Sequence, residues 1–511
     1  MKKRIYLLLA LAIFLSACGN GGAGAPAEGG VPVYRDTVIW AQESDATTLD
    51  AHVGRGPTTM TVTTNIFSPL MRVDENGVPR PHLAESYRRL SELEWEFTIR
   101  QGVRFHDGSV MTVEDVKFSL DRSRTSPMVA FVLAFVDEVT ITGENTIVIR
   151  THEPFTPILS NLTSPMTSIV PQAVIERYGD EHFANNPVGT GPFKLVEWNH
   201  GDSIRLQAFE DYFGTPARTQ NLIMRVIPEA TQRVIALEIG EVDISYTIVS
   251  SHVSLIENNP DLVAFLQPAM ATLNFYFNLE RGPTRDIYVR RAISHAIDRE
   301  LIISTILNER AMIATSIVPP YAVGFVPNLP TRDFDLERAR QYMARSAYAD
   351  GATIDIVLNN NQERIAISQV VQNMLAEIGI EARIRNYAQG PSIDAMIAGE
   401  HDMGLNGGMA SVADADFPYF SNFHSQATPQ GGNRSFVNDP EVDRLISAGR
   451  ATDDPAERLE IYRELEAILF DMVPSMLLAN LYDSVGVSNR VQGFSLNREG
   501  FHRFENVTVR D

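Results

Sequence analysis

The 511-residue sequence predicts an α/β protein of more than one domain, and three observations carry that prediction. Short β-branched or alternating runs bounded by turn residues recur through its first part, as strands require. Longer segments in the middle and C-terminal parts repeat apolar residues at helical spacing. The length, with 44% apolar residues, suffices for large cores, and chains of this size divide into domains. No internal repeat interrupts the pattern.

In chain order, strands are expected at Thr37 to Ala41 (TVIWA), Trp95 to Arg100 (WEFTIR), Val139 to Thr142, Thr146 to Arg150 and Ile204 to Ala208. Between them, TVEDVKFSLDRS opens with Thr112 as N-cap and Asp115 three residues on, resembling a capping box. Val116 and Leu120 then repeat at helical spacing, predicting a short amphipathic helix. Asp286 is placed to cap DIYVRRAISHAIDRELIISTIL, read as one helical pattern with Val289, Ala292, Ile293, Ala296, Ile297 and Leu301 on one face. Further helices fit Leu336 to Ala347, Arg364 to Ile378 and Pro455 to Phe470. Pro319, Pro320, Pro327 and Pro330 mark a long surface connection.

The N-terminus reads differently. Lys2, Lys3 and Arg4 precede an apolar run from Ile5 to Leu15, and Ser16 and Ala17 lead to Cys18, the only cysteine of the chain. This has the form of an export signal over residues 1–17, too short to cross a bilayer comfortably. One cysteine makes no intramolecular disulfide. Leu-Ser-Ala before Cys18 resembles the bacterial lipoprotein lipobox, which implies removal of residues 1–17 and lipidation of Cys18, a membrane anchor held by several acyl chains. The stretch GNGGAGAPAEGG lacks large apolar residues, so residues 18–33 read as a flexible tether.

Loss of Lys2, Lys3 and Arg4 moves the formal charge from −21 to −24. That acidity disfavours a nucleic-acid partner, which needs clustered Lys and Arg. Motifs for hydrolysis, phosphate binding and structural zinc are absent: HExxH, GxSxG, GxxxxGK[ST] and paired cysteines do not occur. GTGPFK at Gly189 to Lys194 reads as a tight turn before a strand. His106 and Asp107 read as a turn between strand and helix, with no metal or cofactor expected, and the Asp-Ala-Asp of Asp414 to Asp416 offers too few ligands for calcium.

Four stretches in order resemble the extracytoplasmic solute-binding proteins that serve peptide and nickel ABC importers. They are SDATTLDAH with NIFSPLMRVDENGVPRPHLAESY, WEFTIRQGVRFHDGSVMTVEDVKFSLDR, NPVGTGPFKLVEWNHGDSIRLQAFEDYFG and LNFYFNLERGPTRDIYVRRAISHAIDRE. The resemblance implies an α/β two-lobed periplasmic-binding-protein (Venus flytrap) fold with an extra subdomain in the first lobe. Residues 34–271 and 485–511 would form lobe 1, with 72–188 as the extra subdomain, and residues 272–484 lobe 2, hinged near Ala271 and Val485. It further implies a monomeric receptor, not an enzyme, that closes on a peptide-like or other small polar solute and delivers it to a permease and its ATPase subunits. Opines, oligosaccharides and nickel chelates are alternative ligands within the same fold; an exported hydrolase is the alternative outside it.

By the same resemblance the ligand-facing residues fall on Arg55, Gly56, Pro57 and Thr58, on Asn274 and Tyr276, and on Asn360, Glu363 and Arg364. Read as residues alone, these also fit a surface loop, an alternating core strand and a solvated helix start. In HDMGLNGGMASVADADF, which contributes Gly408, Met409 and Ser411, peptide binders carry a Trp where Gly408 stands. They carry an Asp that pairs with the ligand's ammonium where Ser411 stands. Serine lacks the opposite charge, so ordinary peptides are disfavoured unless a shift of the loop lets Asp414 or Asp416 take that role.

Overall fold

Two strands of unusual length organise the chain. Leu262–Phe277 and Ser475–Ser488 run antiparallel over 16 and 14 residues, well beyond the ordinary strand length. The computed structural model describes residues 33–74, 77–409, 412–428, 432–497 and 499–511. Among them, 11 strands form one sheet around the long pair. On one side lie Met403–Met409, Ala352–Asn359 and Ile380–Tyr387; on the other lie Ile244–Tyr246, Thr37–Gln42, Asn221–Val226, Ser203–Ala208 and Phe193–Asn199. Ala311–Ile313 adds to Ser475–Ser488. The signal segment, Cys18 and the glycine-rich stretch after it, and also Ser411, lie outside the described residues.

The long pair changes character partway. Pro268 has no N–H to donate, and the register shifts between Pro268 and Thr272. Before the shift, the pair belongs with a core that includes Val38, Trp40, Leu222, Ile244, Val485, Val487, Phe504 and Val509. After it, the strands pack into a second core running from Leu273 to Ala479. A third core, Leu70 to Ile169, lies under a separate four-stranded antiparallel sheet formed by Ala84–Arg89, Glu94–Ile99, Thr146–Thr151 and Val136–Gly143. This is the α/β two-lobed architecture that the sequence implies.

Local signals account for much of it. Thr112 Oγ1 accepts from Asp115 N at 3.2 Å, and Asp115 Oδ2 accepts from Thr112 N at 2.9 Å, so the capping box forms and starts helix Val113–Thr125. That helix carries Arg122, whose guanidinium donates to Asp50 Oδ1 at 2.9 Å and to His52 Nδ1 at 2.9 Å. Burial presses the His52 pKa down to about 4, so the neutral ring donates from Nε2 to Ser168 O at 2.8 Å. The LDAH stretch thus ties helix Val113–Thr125 to the segment around Ser168.

His106 has a similar structural duty. Its Nδ1 accepts from Gly189 N at 3.2 Å and its Nε2 donates to Gly191 O at 3.0 Å, holding the GTGPFK turn. Burial lowers its pKa to about 4, keeping the ring neutral for both bonds. The turn needs glycine: a Cβ on Gly189 would lie 2.1 Å from Ile66 O, and one on Gly191 2.5 Å from Ile66 C.

Two expectations are corrected. The segment after Asp286 forms two helices, Ile287–Ala296 and Arg299–Thr305, because Asp298 Oδ1 accepts from Leu301 N at 2.9 Å and caps a new start. Leu301 consequently faces solvent. The proline-marked connection is not confined to the surface: Pro319 is buried, and Ile317, Val318, Ala322 and Val326 pack with Tyr419, Tyr462 and Leu465 in a further core. No helix among the described residues is long and apolar enough to cross a membrane.

Candidate functional site

The sheet pairing places polar residues in a row. Side chains two apart on a strand share a face, so Thr272, Asn274 and Tyr276 point the same way. Their partners on Met403–Met409 are Gly408, Asn406 and Gly404. Gly404 lets Met396 pack against the strand, since a Cβ there would lie 2.7 Å from Met396 Sδ. A crevice of about 550 Å³, part of it open to solvent, lies over this floor and is bordered by Thr272, Tyr276, Asn406, Phe417 and Asn422. The Tyr276 hydroxyl donates to Asn422 Oδ1 at 2.6 Å.

Arg364 stands beside the floor. Asn361 caps its helix, accepting from Arg364 N at 3.1 Å, and the guanidinium donates to Gly407 O at 2.7 Å. Arg364 has no carboxylate within ion-pair distance among the described residues. Burial lowers its pKa, and burial raises that of the neighbouring Glu363 carboxyl. Asn360 is exposed, with its N–H donating to Tyr387 O at 2.7 Å, and it does not border the crevice.

The Arg55 to Thr58 segment approaches from the other core. Gly56, at φ 90°, is the N-cap of helix Pro57–Ile66, with Pro57 at its start, and Thr58 is buried behind it. Arg55 lies 4.8 Å over the Phe131 ring, and Phe131 in turn packs 5.8 Å from Phe417 at the crevice edge. Met60, Val132, Val412 and Phe501 complete this apolar seam. A polar seam runs alongside. Thr156 N donates to Arg450 O at 2.9 Å, its hydroxyl reaches Thr452 O at 3.0 Å, and Arg89 pairs with Asp453.

Asp414 and Asp416 are engaged elsewhere. Both oxygens of Asp414 accept from Arg458, at 2.9 and 2.6 Å, and Asp416 accepts from Arg450 at 2.9 and 3.2 Å. Burial pushes the Asp416 carboxyl up, with Arg450 opposing it. Neither carboxylate can take an ammonium without first losing an arginine. The backbone of Gly408 and Met409 belongs to the floor strand, while Ser411 lies outside the described residues.

The structure therefore brings Tyr276 and Arg364 together with Asn274, and leaves Asn360 aside. It adds Thr272, Asn406, Phe417, Asn422 and the facing Phe131, which the sequence reading did not single out. Thr272 is legible from strand period once Asn274 is chosen; Asn406 and Asn422 depend on pairings across more than 100 residues. No group of three or more His, Cys, Asp or Glu side chains suited to a metal occurs among the described residues.

The profile described as bacterial extracellular solute-binding proteins, family 5 Middle, matches residues 78–430. The chain is 25% identical over 461 residues to the dipeptide-binding protein of Escherichia coli K12, covering 84% of this chain and 86% of that protein. It is 26% identical over 477 residues to the glutathione-binding protein GsiB of Salmonella typhi, covering 91% of each. Among solved structures, the binding protein AgaA from A. tumefaciens R10 in complex with agropinic acid superposes with a TM-score of 0.79 at 26% identity, covering 93% of this chain and 99% of that one.

Proposed function

Because the chain belongs to family 5 of the bacterial extracellular solute-binding proteins, we propose that it captures a small polar solute in the crevice above Thr272, Asn274 and Tyr276. It is the substrate-binding component of an ABC importer. The carrying observation is that crevice: amides and hydroxyls of the sheet border it, and its rim residue Phe417 meets Phe131 in the apolar seam that joins the two sides. The solute bridges the two lobes, and the loaded, closed form is the one passed to the permease and its ATPase.

The hinge of this motion is the long strand pair at the Pro268 register shift, with residues 34–271 and 485–511 as lobe 1 and 272–484 as lobe 2. The separate core from Leu70 to Ile169 supports assigning 72–188 as the extra subdomain. Its Thr156 acts as a latch on closure. Thr156→Val, which keeps the shape but removes the hydroxyl bonds to Arg450 O and Thr452 O, is expected to weaken solute binding about tenfold while leaving the melting temperature of the free protein nearly unchanged. Calorimetric titration alongside a thermal melt checks both halves.

Relatives bind a dipeptide, glutathione and agropinic acid, and Arg364 offers a carboxylate partner that each of those acids has in common. Native mass spectrometry of freshly purified protein, then a thermal-shift screen of peptides, opines, sugars and nickel chelates with scattering before and after addition, tests the receptor reading. Absence of any ligand-dependent stabilisation or compaction would refute it.

The receptor acts as a monomer tethered through lipidated Cys18 after removal of residues 1–17. Cys18→Ser is expected to release it from membranes into the soluble fraction without altering solute affinity. Fractionation with immunodetection reads the outcome, and undiminished membrane retention refutes the anchor.

A further inference from the structure

We infer, building on the receptor reading above, that the solute is a hydroxylated carboxylic acid without a free ammonium group, and that Asn274 is a residue that selects it. Asn274 is fully buried on the sheet that floors the crevice, and neither its amide nitrogen nor its amide oxygen has a hydrogen bond of good geometry among the described residues, the nearest polar neighbour being the Tyr276 phenol. Buried polar groups are nearly always paired, so an amide this short of partners marks an unfilled role. Its cross-strand partner is Asn406, and Thr272 and Tyr276 flank it on the same face.

The flanking groups narrow the chemistry. Thr272 Oγ1 accepts from Asn480 Nδ2 at 2.8 Å, and the Tyr276 hydroxyl donates to Asn422. Amides and hydroxyls each combine donor and acceptor, matching solute hydroxyls, which do the same. The described carboxylates near the site are poorly placed for an ammonium: Asp414 and Asp416 are held by Arg458 and Arg450, Asp402 accepts from Asp355 N at 2.8 Å, and burial pushes the Glu363 carboxyl up, toward its uncharged form, against the pull of Arg364. A buried cation without a partner is strongly disfavoured.

Two positive charges stand close to Tyr276. Arg364 and Arg434 both act electrostatically on the Tyr276 phenol, one bonding Gly407 O at 2.7 Å and the other Gly432 O at 3.4 Å. The Nε of Arg434 is buried without a partner, and neither guanidinium has a carboxylate within ion-pair distance among the described residues. A carboxylate beside Tyr276 would meet both.

The test uses the purified full chain and four probes: D-gluconate, D-glucuronate, D-glucose and L-alanyl-L-alanine. At least one of the two sugar acids is expected to bind at least 100-fold more tightly than either glucose or the dipeptide. Asn274→Leu is expected to cut that affinity at least tenfold while holding or raising the melting temperature, because an amide waiting for a solute does nothing for the empty fold. Arg364→Ala should remove sugar-acid binding. Tighter binding of the dipeptide overturns the solute class but leaves the receptor reading standing. If no probe binds, the solute class fails, and the broader screen decides the receptor reading separately. Loss of stability in Asn274→Leu with unchanged affinity assigns Asn274 to the core and removes its selecting role.

Discussion

Arg458→Met is expected to lower stability by about 3–5 kcal/mol, the cost of leaving a buried carboxylate without its partner. Asp414 is 2% exposed, and Arg458 meets both of its oxygens while also donating to Gly449 O at 2.8 Å and Tyr462 OH at 2.9 Å. Burial works against the charge on Arg458, but Asp414 overrides it and holds the guanidinium's pKa above its ordinary range. The double variant Asp414→Asn, Arg458→Met removes both charges and should recover much of the loss, since no buried charge is then left without a partner. Urea midpoints of the two variants against the parent check this. Equal losses in single and double variants would show that geometry, not charge, is at stake.

Glu466→Gln is expected to stabilise the protein by roughly 3 kcal/mol above neutral pH and to have little effect near pH 4.5. Glu466 is buried, and burial raises its pKa to about 7, against the opposing hydrogen bonds from Ser316 and Tyr419. The folded form therefore binds a proton that the unfolded chain releases near 4.5. As pH rises from there toward 7, ionisation favours the unfolded chain and stability falls; beyond 7 the deficit is constant. Glutamine keeps the carbonyl that Ser316 and Tyr419 donate to, and carries no charge. Melting temperatures of parent and variant from pH 4.5 to 8.5 should diverge across that window and then run parallel. Curves that stay parallel throughout would place the Glu466 pKa near its ordinary value.

These two residues also show where the sequence was readable and where it was not. Thr112 with Asp115 and the alternation of WEFTIR are local signals, and the structure forms the corresponding cap and strand. The break at Ile297 escaped because periodicity continues through it while Asp298 caps a second helix. The proline-marked connection looked superficial because its apolar partners, Tyr419 and Tyr462, lie about 100 residues onward. Asp414 and Asp416 looked available because the arginines that engage them come 44 and 34 residues later. Asn274, Tyr276 and Arg364 follow from the family resemblance, whereas the pairing of Asn274 with Asn406 depends on strand register across the sheet. Partners distant along the chain are what local patterns do not carry.

The cores also set an order of assembly. Leu273 to Ala479 supply a complete apolar interior from one uninterrupted stretch, so that part can collapse as soon as it is available. The core that begins at Val38 also draws on Val485, Phe494, Phe504 and Val509. The portion made first is therefore finished last, the reverse of the usual progression along a nascent polypeptide. Until the final strands arrive that core lacks part of its interior, whereas the Leu70 to Ile169 core, built from one local stretch, is already complete beside it.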